Sequence, residues 1–486
     1  MPNKQNATPD TPRHHDLGPA QRQAVSELLR VSPVADDLAR RFNEAGYSLA
    51  LVGGSVRDAL LGRLGNDLDF TTDARPDDVL RLVRPWADAV WEVGIAFGTV
   101  GCQKQDFQIE ITTYRSEAYD RTSRKPAVHY GDSIEDDLVR RDFTVNAMAV
   151  ALPEKVFIDP HHGLEDLAAR TLRTPGTPQE SFSDDPLRMM RAARFAAQLG
   201  FEVAPEVVAA MTDMADRIEI VSAERVRDEL NKLLLAPRPR PGLALLVETG
   251  LAARVLPELP ALRLERDEHH RHKDVYEHSL IVLEQAIDLE DDGPDLTLRL
   301  AALLHDIGKP RTRRFESDGR VSFHHHEVVG AKMTKARMTK LKYPTQLVKD
   351  VSRLVELHLR FHGYGSGEWT DAAVRRYVRD GGPLLDRLHK LTRSDCTTRN
   401  KRKAAALSRA YDGLEERIAR LQEQEELDAI RPDLDGNAIM RILEVPPGPQ
   451  IGQAYAFLLE LRLEKGPLGP EAAEAELREW WAARDR

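Results

Sequence analysis

Leu51-Val-Gly-Gly-Ser-Val-Arg-Asp58, followed after eight intervening residues by Asp67-Leu-Asp-Phe-Thr-Thr72, is the stretch that decides the fold. The first segment reads as the end of an apolar strand (Tyr47 to Val52), a glycine turn, and a short helix for which Ser55 is the predicted N-cap. The second alternates acid and apolar residues, so it reads as a strand whose Asp67 and Asp69 share one face. Two like charges held that close repel unless a cation sits between them, and magnesium with oxygen ligands suits such a pair. Gly53 and Gly54 let backbone N–H groups approach a phosphate, and Arg57 could clamp it. Taken singly, the glycines read equally well as a plain tight turn, Arg57 as a partner of Asp58, and the acidic pair as a solvated turn. Glu110, on the strand-like run Phe107-Gln-Ile-Glu-Ile-Thr112, would complete three carboxylates able to hold two metals.

Working outward, a helical pattern precedes this stretch from Val34 to Tyr47. A helix over 77–85 and strands over 98–104 and 107–114 follow it. After Ile158-Asp-Pro160 the character changes, and from Asp185 onward nearly every segment has helical period. The fold class is therefore α+β, a mixed α/β head followed by helical parts. The expected division is a flexible, polar tail over 1–30, a catalytic head over 31–170 and a helical neck over 171–245. A helical body over 246–405 and a helical tail over 406–486 complete it.

The 486 residues are enough for about three domains at ~150 residues each. Their 41% hydrophobic and 30% charged content excludes a mainly disordered chain. Two cysteines, Cys102 and Cys396, exclude a disulfide framework and a thiolate zinc site, and point to a reducing cytosol. No apolar run is long enough for a membrane span, and the N-terminus lacks the apolar core of a signal peptide. The net charge of −10 conceals polarity along the chain. Residues 330–403 hold 18 Lys and Arg against 7 Asp and Glu, whereas 421–486 hold 7 against 14.

Leu51–Asp58 with Asp67–Phe70 resembles the first motif of the class II tRNA nucleotidyltransferase and bacterial poly(A) polymerase family. Four more segments follow in that family's order: Arg140-Arg-Asp-Phe-Thr-Val-Asn-Ala147, Asp159-Pro-His-His-Gly-Leu-Glu-Asp166, Asp184-Asp-Pro-Leu-Arg-Met-Met-Arg-Ala-Ala-Arg-Phe195 and Ser222-Ala-Glu-Arg-Val-Arg-Asp-Glu-Leu-Asn-Lys232. His162 stands where the family has Gly, and Asp184 where it has Glu. The resemblance implies a polymerase-beta-like head in which Asp67, Asp69 and Glu110 are catalytic and bind Mg²⁺. It assigns Gly53, Gly54, Arg57, Arg141, Asp142, Asn146, Asp185, Arg188, Arg191 and Arg194 to the nucleotide.

Asp185 and Arg188, three apart in a helical run, could accept from an exocyclic amino group and donate to the adjacent ring nitrogen. Cytosine and adenine offer that pair, whereas uracil and guanine would leave buried polar groups unmatched at about 1–3 kcal/mol each. An exposed ion pair is the plainer reading of the two residues, as is solvated surface for Arg191 and Arg194. Arg115–Pro126 resembles the flexible loop that accompanies A addition, and the run Ile95–Lys104 lacks the basic stretch usual in poly(A) polymerases. These features favour C, C and A addition to the tRNA 3′ acceptor end from CTP and ATP.

Eleven of the sixteen histidines fall between 269 and 389. His278, His305-Asp306, His326, His358 and Asp395 resemble, in order, the HD phosphohydrolase superfamily. That resemblance implies that His278, His305, Asp306 and Asp395 hold one metal, with His326 and His358 available to a second. Ni, Mn, Co and Fe are all candidates for this site. His269, His270, His272, His324 and His325 read as surface. In the basic stretch, Lys390, Arg393, Arg399, Lys401, Arg402 and Lys403 are the candidate RNA contacts, interleaved with aromatic residues.

The readings left in competition are a poly(A) polymerase or partial CC- or A-adding enzyme, a metal phosphohydrolase with an RNA-binding head, and a non-catalytic RNA-binding protein. Oligomeric state is not legible in the sequence.

Overall fold

The computed structural model describes residues 33–114, 131, 133–263, 274–317, 321–361, 369–397, 401–425 and 431–484. The chain separates into two compact units, Met1–Val255 and Leu256–Arg486.

The first unit is built on a seven-stranded sheet of order β3-β4-β5-β2-β1-β6-β7. Its strands are β1 (Leu49–Val52), β2 (Asp67–Thr72), β3 (Ala89–Trp91), β4 (Thr99–Lys104), β5 (Phe107–Thr113), β6 (Ala149–Leu152) and β7 (Val156–Ile158). Only β2 and β5 run parallel; every other neighbouring pair is antiparallel. Strand periodicity sends Leu68, Phe70, Val100, Ile109 and Ile111 to one face, where each is at most 1% exposed. Helix α3 (Pro76–Val83) packs there against β4 and β5. The other face carries Asp69 in register with Glu110, Glu110 with Gly101, and Gly101 with Trp91. Toward β1 and β6 this second face is closed by Leu138 and Ala147 against Ala50, Val52 and Ala149.

Helix α1 (Pro33–Glu44) buries Leu38, Ala39 and Phe42, as its periodicity predicts. The helix after the glycine turn, α2 (Gly54–Leu60), differs in one respect: its cap is Gly53, not Ser55. Ser55 lies inside the helix and its hydroxyl accepts from the Asp69 N–H at 2.8 Å. An acidic strand running alongside offers that hydroxyl a better partner than the helix's own N–H groups. Beyond the sheet, α4 (Pro178–Asp184) leads into α5 (Leu187–Leu199), which packs against α6 (Ala223–Leu234) and α7 (Pro239–Glu248).

The second unit is helical among its described residues, apart from the two short strands Arg314–Phe315 and Val321–Ser322. Helices α8 (Val275–Asp288), α9 (Leu296–Leu304), α10 (His326–Lys340), α11 (Thr345–Leu357) and α12 (Leu385–Ser394) pack on one another. After the helix Lys401–Glu425, the C-terminal segment builds its own small core from Ile439, Ala454, Leu458, Ala473 and Leu477. Its helix Pro449–Lys465 docks on Asp371–Gly381, where the Arg375 guanidinium donates to the Leu463 carbonyl at 3.0 Å. The N-terminal tail, the loop Arg115–Pro126, His269, His270, His272 and Arg399 lie outside the described residues.

Candidate active sites

Two clusters of chemistry emerge, one in each unit. In the first, the register of β2 and β5 places Asp69 and Glu110 side by side, with Asp67 one pleat along. Burial pushes the Asp69 carboxyl up to about 6. The charges of Glu110 and Asp67 push the same way, and those of Arg141 and Arg57 oppose them. A buried carboxylate with two others beside it gains most from a divalent cation, so this donor set fits magnesium.

Gly53 adopts φ 70, and a β-carbon there would meet the Arg141 guanidinium at 2.6 Å, so the turn is open to glycine alone. Arg57 is only 4% exposed. It pairs with Asp58 at 2.7 Å, as the plain reading expects, but also donates to the Asn146 side-chain oxygen Oδ1 at 2.5 Å. Asn146 donates in turn to Asp142 at 2.8 Å, and Asp142 accepts from Arg191 Nε at 2.7 Å. Burial works to raise the Asp142 carboxyl, but the Arg191 charge and these hydrogen bonds overcome it and hold it at about 2. Glu229, from α6, pairs with Arg194 at 2.8 Å and lies 3.7 Å from Arg191. The Phe195 ring lies beneath three guanidinium groups, with Arg194 at 4.0 Å, Arg57 at 5.2 Å and Arg191 at 5.5 Å from its centroid. Arg191 and Arg194 are thus internal struts rather than solvated surface.

Asp185 and Arg188 do not share a helix. Pro186 disfavours helical backbone at the residue before it, so Asp185 is extended at φ −143 and α5 begins after it. Its carboxylate accepts from the Leu187 N–H at 3.1 Å and from Arg225 at 2.7 Å. Arg188 donates to the Ser181 hydroxyl at 2.9 Å and to the Arg140 carbonyl. Both groups are therefore held in place by other residues. Sequence reasoning missed Arg225, Glu229 and Phe195 as supports, although all three lie in the motifs already singled out. In the third motif, Asp159 accepts from the Gly163 and Leu164 N–H groups at 2.7 and 2.9 Å. His162 there takes the left-handed φ of 58 that a glycine would adopt freely.

The second cluster gathers all six predicted HD residues. Among the described residues, His278, His305 and Asp395 form one set of donors within 4.8 Å, and Asp306, His326 and His358 another. Asp306 joins the two sets. Its Oδ2 lies 3.2 Å from His305 Nε2 and 3.5 Å from His278 Nε2, and its Oδ1 lies 3.2 Å from His326 Nε2. Three Nδ1 atoms face backbone carbonyls: His305 to Ala302 at 2.8 Å, His326 to Phe323 at 2.8 Å and His358 to Val355 at 2.6 Å. His278 Nδ1 meets the Thr397 hydroxyl at 3.0 Å. Such tethers turn Nε2 inward as the free donor. Burial, reinforced by the neighbouring His305 charge, lowers His358 to about 3, so this ring is neutral and able to ligate. Asp306 Oδ1, His326 Nε2 and His358 Nε2 are buried and make no hydrogen bond. Orphaned atoms converging from three donors fit a divalent metal. Asp306 thus keeps its expected place beside His278 and His305 through Oδ2, while its Oδ1 faces His326 and His358.

Of the candidate RNA contacts, Lys390 pairs with Asp291 at 3.1 Å and Asp386 at 3.0 Å, and Arg393 with Asp412 at 2.8 Å and Glu415 at 3.1 Å. Arg402 is exposed, and the side chains of Lys401 and Lys403 lie outside the described residues. His324 and His325 are on the surface, as expected.

Comparison with known proteins follows the same partition. Residues 49–173 match the poly A polymerase head domain, 200–262 the probable RNA and SrmB-binding site of polymerase A, and 275–400 the HD domain. The chain is 36% identical over 440 residues to the A-adding tRNA nucleotidyltransferase of Deinococcus radiodurans, covering 89% of this chain and 95% of that protein. It is 42% identical over 219 residues to the CCA-adding enzyme of Levilactobacillus brevis, spanning 45% of this chain and 54% of that one. Among solved structures it resembles the Bacillus stearothermophilus CCA-adding enzyme in complex with CTP. That likeness has TM-score 0.68 and 25% identity, and covers 93% of this chain and 98% of that one.

Proposed function

This chain belongs to the family of tRNA nucleotidyltransferases that holds the A-adding and CCA-adding enzymes, and from that premise we propose that it adds C, C and A to tRNA 3′ ends. CTP and ATP are the donors and pyrophosphate is released. The observation that carries the reading is the carboxylate face of β2 and β5 beside the Gly53–Gly54 turn, with Asp185 and Arg188 fixed within the same unit.

Asp67, Asp69 and Glu110 would hold Mg²⁺. When bound there, the ions acidify the attacking 3′-hydroxyl and neutralise charge building on the phosphates. The chain's own groups do the rest. The Gly53–Gly54 turn admits the triphosphate, with Arg57 and Arg141 behind it. The Asp185 carboxylate accepts from the exocyclic amino group of cytosine or adenine, and Arg188 donates to the neighbouring ring nitrogen. Asp142, Asn146 and Arg191 keep those groups and the turn in fixed relation. No template is needed, since the protein itself reads the base.

A second reading, addition of A alone to an RNA already ending in CC, is favoured by the nearly complete alignment with the Deinococcus enzyme. Incubation with tRNA ending at the discriminator base, each nucleotide singly, and Mg²⁺ separates the two. Ordered C, C, A addition is expected. Extension only of tRNA ending in CC would move the assignment to A addition, and long A tails from ATP alone would overturn both.

The six-donor cluster of the second unit supports a separate divalent-metal phosphohydrolase activity on phosphate esters, with RNA ends as substrate. No helix among the described residues is long and apolar enough to cross a membrane.

A further inference from the structure

We propose that Trp91 is the platform on which the terminal base of the acceptor RNA stacks while its 3′-hydroxyl attacks. This rests on the transferase reading and adds a substrate contact to it. The sheet register places four residues in one row across four strands: Asp69, Glu110, Gly101 and Trp91. Residues paired in register point to the same face, so the indole stands on the carboxylate face, at its outer end. Gly101 is what lets it lie back toward the acids. A β-carbon at 101 would sit 1.9 Å from Trp91 Nε1, so the ring occupies the place of a side chain on β4. With strands about 4.8 Å apart, that puts the indole roughly one strand from Glu110.

The direction matters. The Gly53–Gly54 turn follows β1, and the base-reading pair is held from α4 and α6 and from the Arg140 carbonyl, so the incoming nucleotide lies on the β1 side of the carboxylates. An in-line displacement needs the attacking oxygen opposite the leaving pyrophosphate. The acceptor must then arrive over β4 and β3, where Trp91 is only half-buried. The loop after Trp91 also exposes apolar side chains, Val93 at 90% and Phe97 at 51%. An aromatic plane beside an acidic triad suits a base, whose π-face stacks irrespective of its identity, and does not suit a phosphate. Sequence tolerance is what an acceptor site needs when its terminal base changes at each addition.

The test compares wild type, Trp91→Ala and Trp91→Phe with tRNA and with CTP or ATP as the varied substrate. For Trp91→Ala we expect KM for tRNA to rise roughly ten-fold, the scale of one stacked base. KM for the nucleotide should stay unchanged, and Trp91→Phe should recover most of the loss. Tryptophan fluorescence should be quenched on tRNA binding in wild type and less so in Trp91→Phe. A tRNA KM within two-fold of wild type for Trp91→Ala, equal impairment of both variants, or a defect confined to kcat overturns the proposal. If the wild type itself adds nothing to tRNA, the transferase reading falls and takes this one with it. An active wild type beside an indifferent Trp91→Ala overturns the stacking alone.

Discussion

Asp142 shows how a single buried charge ties this site together. It is 7% exposed and held ionised by Arg191 and Asn146, and through Asn146 it reaches the Arg57 guanidinium behind the glycine turn. Because its folded pKa lies below the ordinary 3.8, it contributes stability above that pH, and the contribution is lost as pH falls toward about 2. Arg191→Met removes the counter-charge and leaves burial to govern, which raises the folded pKa above the unfolded one. The sign then reverses: the buried carboxylate destabilises as pH rises through the acid range. Urea unfolding should show the variant less stable than wild type by about 3 kcal/mol at pH 7, with the gap closing toward pH 4. Adding Asp142→Asn should narrow the gap at pH 7. A gap independent of pH would show that Arg191 contributes packing against Phe195 and nothing more.

At the scale of elements, much was legible because each piece of evidence was local. Alternation in Asp67–Thr72 and Phe107–Thr113 marks β2 and β5, and the mixed head before a helical remainder follows from where that alternation stops. The six HD donors could be named because their order along the chain suffices. What stayed hidden needed two segments at once. Ser55 resembles a cap until β2 runs beside it, and Asp185 resembles a helix position until Pro186 forbids it. Trp91 carries no motif, since its position in the catalytic row is set by registers among four separate strands.

The division of Asp306 between two donor sets likewise depends on α9, α10 and α11 meeting, and it sets a stoichiometry. Metal analysis after dialysis against Mn²⁺ or Ni²⁺ should find two ions per chain in the wild type and one in His326→Ala/His358→Ala. Asp306→Ala should lose both. A single ion in the wild type would show that only one donor set is used.

Across the whole molecule, the two proposed chemistries fall in different units and can be tested apart. Asp67→Ala/Asp69→Ala should abolish nucleotide addition, a fall of at least ~10³-fold, while sparing metal-dependent phosphatase turnover. His305→Ala should do the reverse. Loss of both activities in either variant would contradict the separation. Charge also looks different in space than along the chain. The basic run over 330–403 is partly answered by Asp291, Asp386, Asp412 and Glu415, which hold Lys390 and Arg393. Lys390→Ala should therefore lower the salt slope of tRNA binding by less than the ~1 expected of a cation bound to a phosphate.

The imidazoles of the second unit are held by the chain itself. Lys309 rests on Asp306 Oδ2 at 2.6 Å, His305 faces the same oxygen, and the Nδ1 hydrogen-bond partners of all four rings come from the chain itself. The chain's own hydrogen bonds thus fix the orientation of the rings. Chelator-treated protein should keep its helical circular dichroism and a cooperative melt. Added metal should raise Tm only by the mass-action increment that follows from its affinity.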